Sequence, residues 1–155
     1  MPKTPPAPSA IRTLPSWLLG RAAARGRGLV ADALAGEDMK MWHHVALSAV
    51  ADQGSVAQAA LGRSISLDPK DLVGVINDLQ DAGLVLRAPD PADRRKNAIT
   101  ITEKGERTLE RCAEVARRAN DALLAPLTAA EREQFLALLT RISGTSEGTS
   151  PDTGA

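Results

Sequence analysis

The chain has 155 residues, with 19 Lys and Arg against 19 Asp and Glu, so its formal net charge at neutral pH is zero and charge alone names no partner. Apolar residues make up 43% and aromatic residues only 2%, enough for one core rich in Ala and Leu, which favours close-packed helices over an all-β sandwich. A single cysteine, no Cys/His cluster and no long apolar run exclude an internal disulfide, a zinc or haem site and a membrane span; a reducing, cytoplasmic setting without metal or cofactor is expected.

Residues 1–12 are Pro-rich and residues 144–155 are a Gly, Ser, Thr and Pro run. Neither composition offsets the entropy of ordering it, so both read as disordered tails around a folded unit at 13–143. The ionised side chains up to Ala31 are all basic: Lys3, Arg12, Arg21, Arg25 and Arg27. Pro15 suits an early helix position. Trp17, Leu18, Ala22, Leu29, Val30, Ala33 and Leu34 give the first helix an apolar face, interrupted by Gly20, Gly26 and Gly28, and Gly36, Glu37 and Asp38 mark its end. Met39, Trp42, Val45, Ala46, Ala49 and Val50 recur at helical spacing in a second helix.

Ser55 with Gln58 has capping-box spacing and predicts a short third helix through Leu61. Asp68, Pro69 and Asp71 predict a new start: an Asp cap, a Pro at the first helical position and an acid in the positive first turn. Leu72, Val75, Ile76 and Leu79 share one face of this fourth helix, and Gly83 supplies a left-handed stop. The tight connection from Ser64 to Leu67 gives helix-turn-helix spacing. After Gly83 the period changes to that of two strands, at 84–87 and 98–102, joined by a basic loop from Ala88 to Asn97. Helical spacing returns from Thr102 to about Pro126, and Thr128 with Glu131 opens a last helix bearing Phe135, Leu138, Leu139 and Ile142. The fold class is mainly α with a β-hairpin wing: a winged helix-turn-helix lobe at 39–102 between flanking helices at 14–35 and 103–143.

The order of these elements, Gly83-Leu84-Val85, the wing Pro89-Asp90-Pro91-Ala92-Asp93-Arg94-Arg95 and the run Ile101-Thr102-Glu103-Lys104-Gly105 resemble the MarR family of bacterial transcription regulators. The resemblance covers roughly Leu14 to Ile142, and its most specific part is the Asp-x-Arg wing followed by strand-Thr-x-x-Gly. It implies an obligate homodimer with interlocked first and last helices. Repression is the family default, and many relatives release DNA when a small aromatic or phenolic effector binds. Apolar faces on the terminal helices argue independently for a second copy. A twofold would place two recognition helices about one helical turn, roughly 34 Å, apart on a pseudo-palindromic site in double-stranded DNA.

With Leu72, Val75, Ile76 and Leu79 committed inward, the opposite face of the fourth helix offers Lys70, Asp71, Val73, Gly74 and Asn77. Asn77 can pair with adenine in a bidentate way; Asp71 either accepts from cytosine N4 or serves only the helix start. Gly74 either permits close backbone approach or marks weak direct readout. Arg94, Arg95 and Lys96 at the wing, with Arg63 after the third helix, are the candidate phosphate contacts. The resemblance implies that Asp93 and Arg95 pair to stiffen the wing. Trp17, Trp42, His43 and His44 are either core and surface residues or the wall of an effector crevice. Cys112, on an apolar face, reads as a buried inert thiol. No Gly-rich phosphate loop, GxSxG elbow or HExxH stands in the chain, so no enzyme is expected. The competing reading is a winged-helix dimer that serves protein interaction, favoured by Gly74 and by Asp68, Asp71, Asp78 and Asp81 around one Lys70.

Overall fold

The computed structural model describes residue 6 and residues 8–144; the C-terminal tail expected at 145–155 and residues 1–5 and 7 lie outside the described residues. The elements run α1 (Pro15–Ala35), α2 (Met41–Gln53), β1 (Val56–Ala57), α3 (Gln58–Ser64), α4 (Pro69–Asp81), β2 (Val85–Pro89), β3 (Asn97–Ile101), α5 (Glu103–Leu123) and α6 (Ala129–Ser143). Residues 9–13 form turns ahead of α1. Among the described residues no helix is long and apolar enough to cross a membrane.

Three helices end in the same way, and those endings set the angles of the lobe. After α1, α3 and α4 the chain takes one left-handed residue, Asp38, Ser66 or Gly83, at φ of 55°, 54° and 74°. The next N–H then reaches back over the helix end: Met39 to the Leu34 carbonyl at 3.0 Å, Leu67 to Gly62 at 3.0 Å and Leu84 to Leu79 at 2.9 Å. This closure satisfies carbonyls that the helix leaves orphaned. Leu34 and Met39, and Leu79 and Leu84, are all buried, so two of the three closures also bring apolar side chains into the core.

The Ser55–Gln58 capping box does not form. Val56 and Ala57 instead pair with Ile99 and Ala98 as a short strand, and α3 begins at Gln58 with Ala57 as its cap and no side-chain capping bond. Burial of Val56 at 6% exposure explains the choice, since the sheet uses an apolar side chain that the cap would leave in solvent. The sheet is therefore three-stranded and antiparallel, in the order β1-β3-β2. The hairpin ladder also runs further than expected, to Pro89 opposite Asn97, so the wing tip is 90–96. Pro89 is tolerated because β2 is an edge strand.

The core is formed by Leu34, Leu47, Val50, Leu61, Leu72, Ile76, Leu79, Val85, Ile99 and Cys112, all essentially buried. It joins the lobe to α1 through Leu34 and to α5 through Cys112. Trp42, which recurs at helical spacing in the second helix, is 44% exposed, and Val75, expected inward, is only partly buried. No residue of α6 is buried, and Leu136, Leu138 and Ile142 are exposed.

Candidate nucleic-acid interface

Helix α4 is anchored at both ends. Its N-cap Asp68 accepts from the Lys70 N–H at 2.8 Å, with Pro69 at the first helical position as expected from sequence. At the other end Lys104 Nζ donates to the Ala82 carbonyl at 2.8 Å, placing a cation where the helix dipole is negative. Thr102 donates from Oγ1 to the Gly83 carbonyl at 2.6 Å while the same oxygen accepts from the Gly105 N–H at 3.0 Å. The Thr102-Glu103-Lys104-Gly105 run thus clamps the start of α5 onto the end of α4. Gly105 is required sterically, because an added Cβ would overlap the Leu84 carbonyl oxygen and crowd Ile101.

From this anchored helix Lys70, Asp71, Val73, Gly74 and Asn77 all face solvent, while Leu72, Ile76 and Leu79 are buried. Nothing lies within 4 Å of a Cβ built on Gly74. The structure does not leave Asn77 free: its Oδ1 accepts from Arg87 Nη2 of β2 at 3.0 Å. Residue spacing gave no hint of this pair, whose members lie on different elements.

The wing is internally tied. Asp90 N–H donates to the Lys96 carbonyl at 2.8 Å, Lys96 N–H to the Asp93 carbonyl at 2.9 Å, and Asp90 Oδ1 accepts from Ala92 N–H at 2.8 Å. Asp93 Oδ1 accepts from the Arg95 backbone N–H at 3.1 Å and from Arg95 Nε at 3.2 Å, the pairing that the resemblance implied. The backbone N–H first, and then the guanidinium, hold the Asp93 carboxyl below its usual range. Arg95 stays 90% exposed despite the pair, and Arg94 and Lys96 make no ion pair among the described residues. The arginines of α5 contrast with them, since Arg107, Arg111, Arg117 and Arg118 all pair with acids.

Two concavities flank α4. One, of about 840 Å³, brings Arg63 of α3 together with Lys96 and Asn97 of the wing beside Asp68, Pro69 and Val73. The other, of about 530 Å³, lies between α2 and α4 and is lined by Trp42, His43, Lys70, Asp71 and Gly74. His43 Nδ1 accepts from the Lys40 N–H at 3.1 Å, which leaves Nε2 to donate to Asp78 Oδ2 at 2.9 Å. Trp17 and His44 do not line that crevice; both are half-buried elsewhere, and burial lowers the His44 pKa. Among the described residues no three His, Cys, Asp or Glu side chains group to hold a metal. Cys112 is buried, and desolvation, then the Glu37 charge, pushes its thiol pKa up.

Comparison with known proteins gives one consistent picture. The MarR family model matches residues 37–96. The HTH-type transcriptional repressor NicR of Pseudomonas putida is 33% identical over 103 residues, 66% of this chain and 65% of NicR, so the chain spans just under two thirds of that relative. A probable transcriptional regulator of Pseudomonas aeruginosa is 30% identical in its crystal structure, with a TM-score of 0.72, covering 84% of this chain and 97% of that one. The MarR family protein Rv2887 of Mycobacterium tuberculosis, crystallised in complex with DNA, is 28% identical with a TM-score of 0.73, covering 83% and 96%.

Proposed function

This chain belongs to the MarR family, and from that premise we propose that it is a sequence-specific DNA-binding regulator, a repressor, that grips a pseudo-palindromic operator as a homodimer. The observation that carries the reading is the cationic groove beside α4, where Arg63 and Lys96 come together at the foot of a wing whose Arg94 and Arg95 stand in solvent. Phosphate neutralisation by these four side chains supplies affinity, and the exposed face of α4 supplies base contacts. The similarity to a repressor and to a DNA-bound relative supports the same reading.

In this account the helices at 14–35 and 103–143 form the dimer. Support comes from the exposed Leu14 and Leu18 of the α1 region and Leu136, Leu138 and Ile142 of α6, which a second copy would cover. A small aromatic or phenolic effector would enter the crevice of Trp42 and His43, where it would press on Lys70, Asp71 and Gly74 of α4 and release DNA. The deciding experiment is a gel shift with the protein's own upstream intergenic DNA in excess nonspecific competitor. A discrete complex that survives competitor supports the proposal. Its absence would favour the protein-interaction reading that the acidic α4 leaves open.

A further inference from the structure

Arg87 of β2 holds the amide of Asn77 in one orientation on the exposed face of α4. Arg87 lies on β2 opposite Ile99, is half-buried, and sends Nη2 to Asn77 Oδ1 at 3.0 Å. Its Nε is buried and has no hydrogen-bond partner. A guanidinium only donates, so the Asn77 atom that faces it must be the carbonyl oxygen, and Nδ2 is the end left for a ligand. An asparagine free to turn reads adenine with both ends, accepting from N6 and donating to N7. Arg87 takes one of the two Oδ1 lone pairs and turns that oxygen towards β2, which draws it away from a bidentate pairing with adenine and leaves the two Nδ2 N–H donors outward.

We infer that Arg87 is a positioning residue for operator specificity, which converts Asn77 from an adenine reader into a donor for a keto base: guanine through O6 and N7, or thymine through O4. Guanine offers two acceptors in the major groove, O6 and N7, where thymine offers O4 alone, so guanine is the best match for two donors. Because Arg87 extends from the wing strand to α4, the same bond ties the position of the wing to the base preference of the helix. This inference rests on the DNA-binding reading above and adds to it the identity of one base contact.

The test is selection from a randomised duplex library with the wild-type chain and the variants Asn77→Ala, Arg87→Met and Arg87→Lys. Asn77→Ala identifies the symmetric pair of operator positions that depend on Asn77, as those whose preference flattens. At those positions the wild type is expected to favour guanine or thymine over adenine by on the order of tenfold. Arg87→Met, which fills the space without a donor, should move the preference to adenine, and Arg87→Lys, which keeps a donor, should retain the wild-type base. Wild-type selection of adenine there would overturn the inference without reference to any Arg87 variant, as would an Arg87→Met profile identical to wild type. Selection by the wild type of no sequence at all would overturn the inference together with the proposed function, and so separates the two failures.

Discussion

Replacing Gly105 with alanine loads the joint between α4 and α5 directly. Gly105 is buried in the first turn of α5, and the added methyl would overlap the Leu84 carbonyl oxygen. That carbonyl cannot simply retreat, because it accepts from the Thr102 N–H at 3.0 Å. Relief requires α5 to part from the corner where α4 becomes β2. Overpacking costs about 1–3 kcal/mol, and loss of the Thr102 cap and of the Thr102–Leu84 bond costs about 1 kcal/mol each. The gain in helix propensity from Gly to Ala offsets about 1 kcal/mol. The net expected loss is about 2–4 kcal/mol. Gly74→Ala is the matched control: it lies within α4 with open space around its Cβ, so propensity alone acts and stabilises by about 1 kcal/mol. Urea unfolding at one fixed protein concentration reads both, since the proposed self-association would make stability depend on concentration. A Gly105→Ala midpoint within about 0.5 kcal/mol of wild type would refute the claim that this close approach fixes the joint.

The depressed Asp93 carboxyl makes the wing acid-sensitive: its stabilising contribution is complete above the ordinary carboxylate pKa, near 4, and is lost as pH falls through that value to the lower folded one. Carbon-13 titration should place the Asp93 midpoint below that of an aspartate in the unfolded chain, and Arg95→Ala should raise it only in part, because the backbone donor remains; a wild-type midpoint at or above the unfolded one contradicts the geometry. Cys112 should react with iodoacetamide at least about a hundredfold more slowly in the native protein than in urea, because its burial both shields it and disfavours the thiolate; equal rates would contradict that burial. Substituting Asp at Leu138 and Ile142, both exposed, should leave the far-ultraviolet circular dichroism unchanged while sedimentation shifts to a monomer. A persistent dimer would place the interface elsewhere.

What could be read from sequence was what local chemistry dictates. Asp68-Pro69 and Gly83 bound α4, and Thr128 with Glu131 form their reciprocal cap, because each signal acts within four residues. Thr102 and Gly105 were visible as a motif, but their purpose was not, since it depends on the Leu84 carbonyl from the preceding strand. Strand β1 carries no sequence signal because two residues have no periodicity, and the apparent Ser55–Gln58 cap yields to pairing with β3, more than forty residues on. Left-handed Asp38 and Ser66 carry no glycine to announce them. For the interface, the wing cations were legible as a run, whereas the bonds from Arg87 to Asn77 and from His43 to Asp78 arise only when separate elements meet. Zero net charge conceals the useful contrast: arginines paired along α5, and Arg94 and Lys96 at the wing without an ion pair among the described residues.

If the wing holds DNA through its phosphates, the salt dependence of operator affinity must run through Arg94 and Arg95. Each phosphate neutralised contributes about 0.9 to the slope of log K against log salt. Fluorescence anisotropy over a salt series should therefore give an Arg94→Ala, Arg95→Ala dimer a slope shallower than wild type by about 2–4, for up to four lost contacts. Arg117→Ala, which removes a cation already paired with Glu114 and Asp121, should leave the slope unchanged. Equal slopes for the wild type and the wing variant would contradict the account.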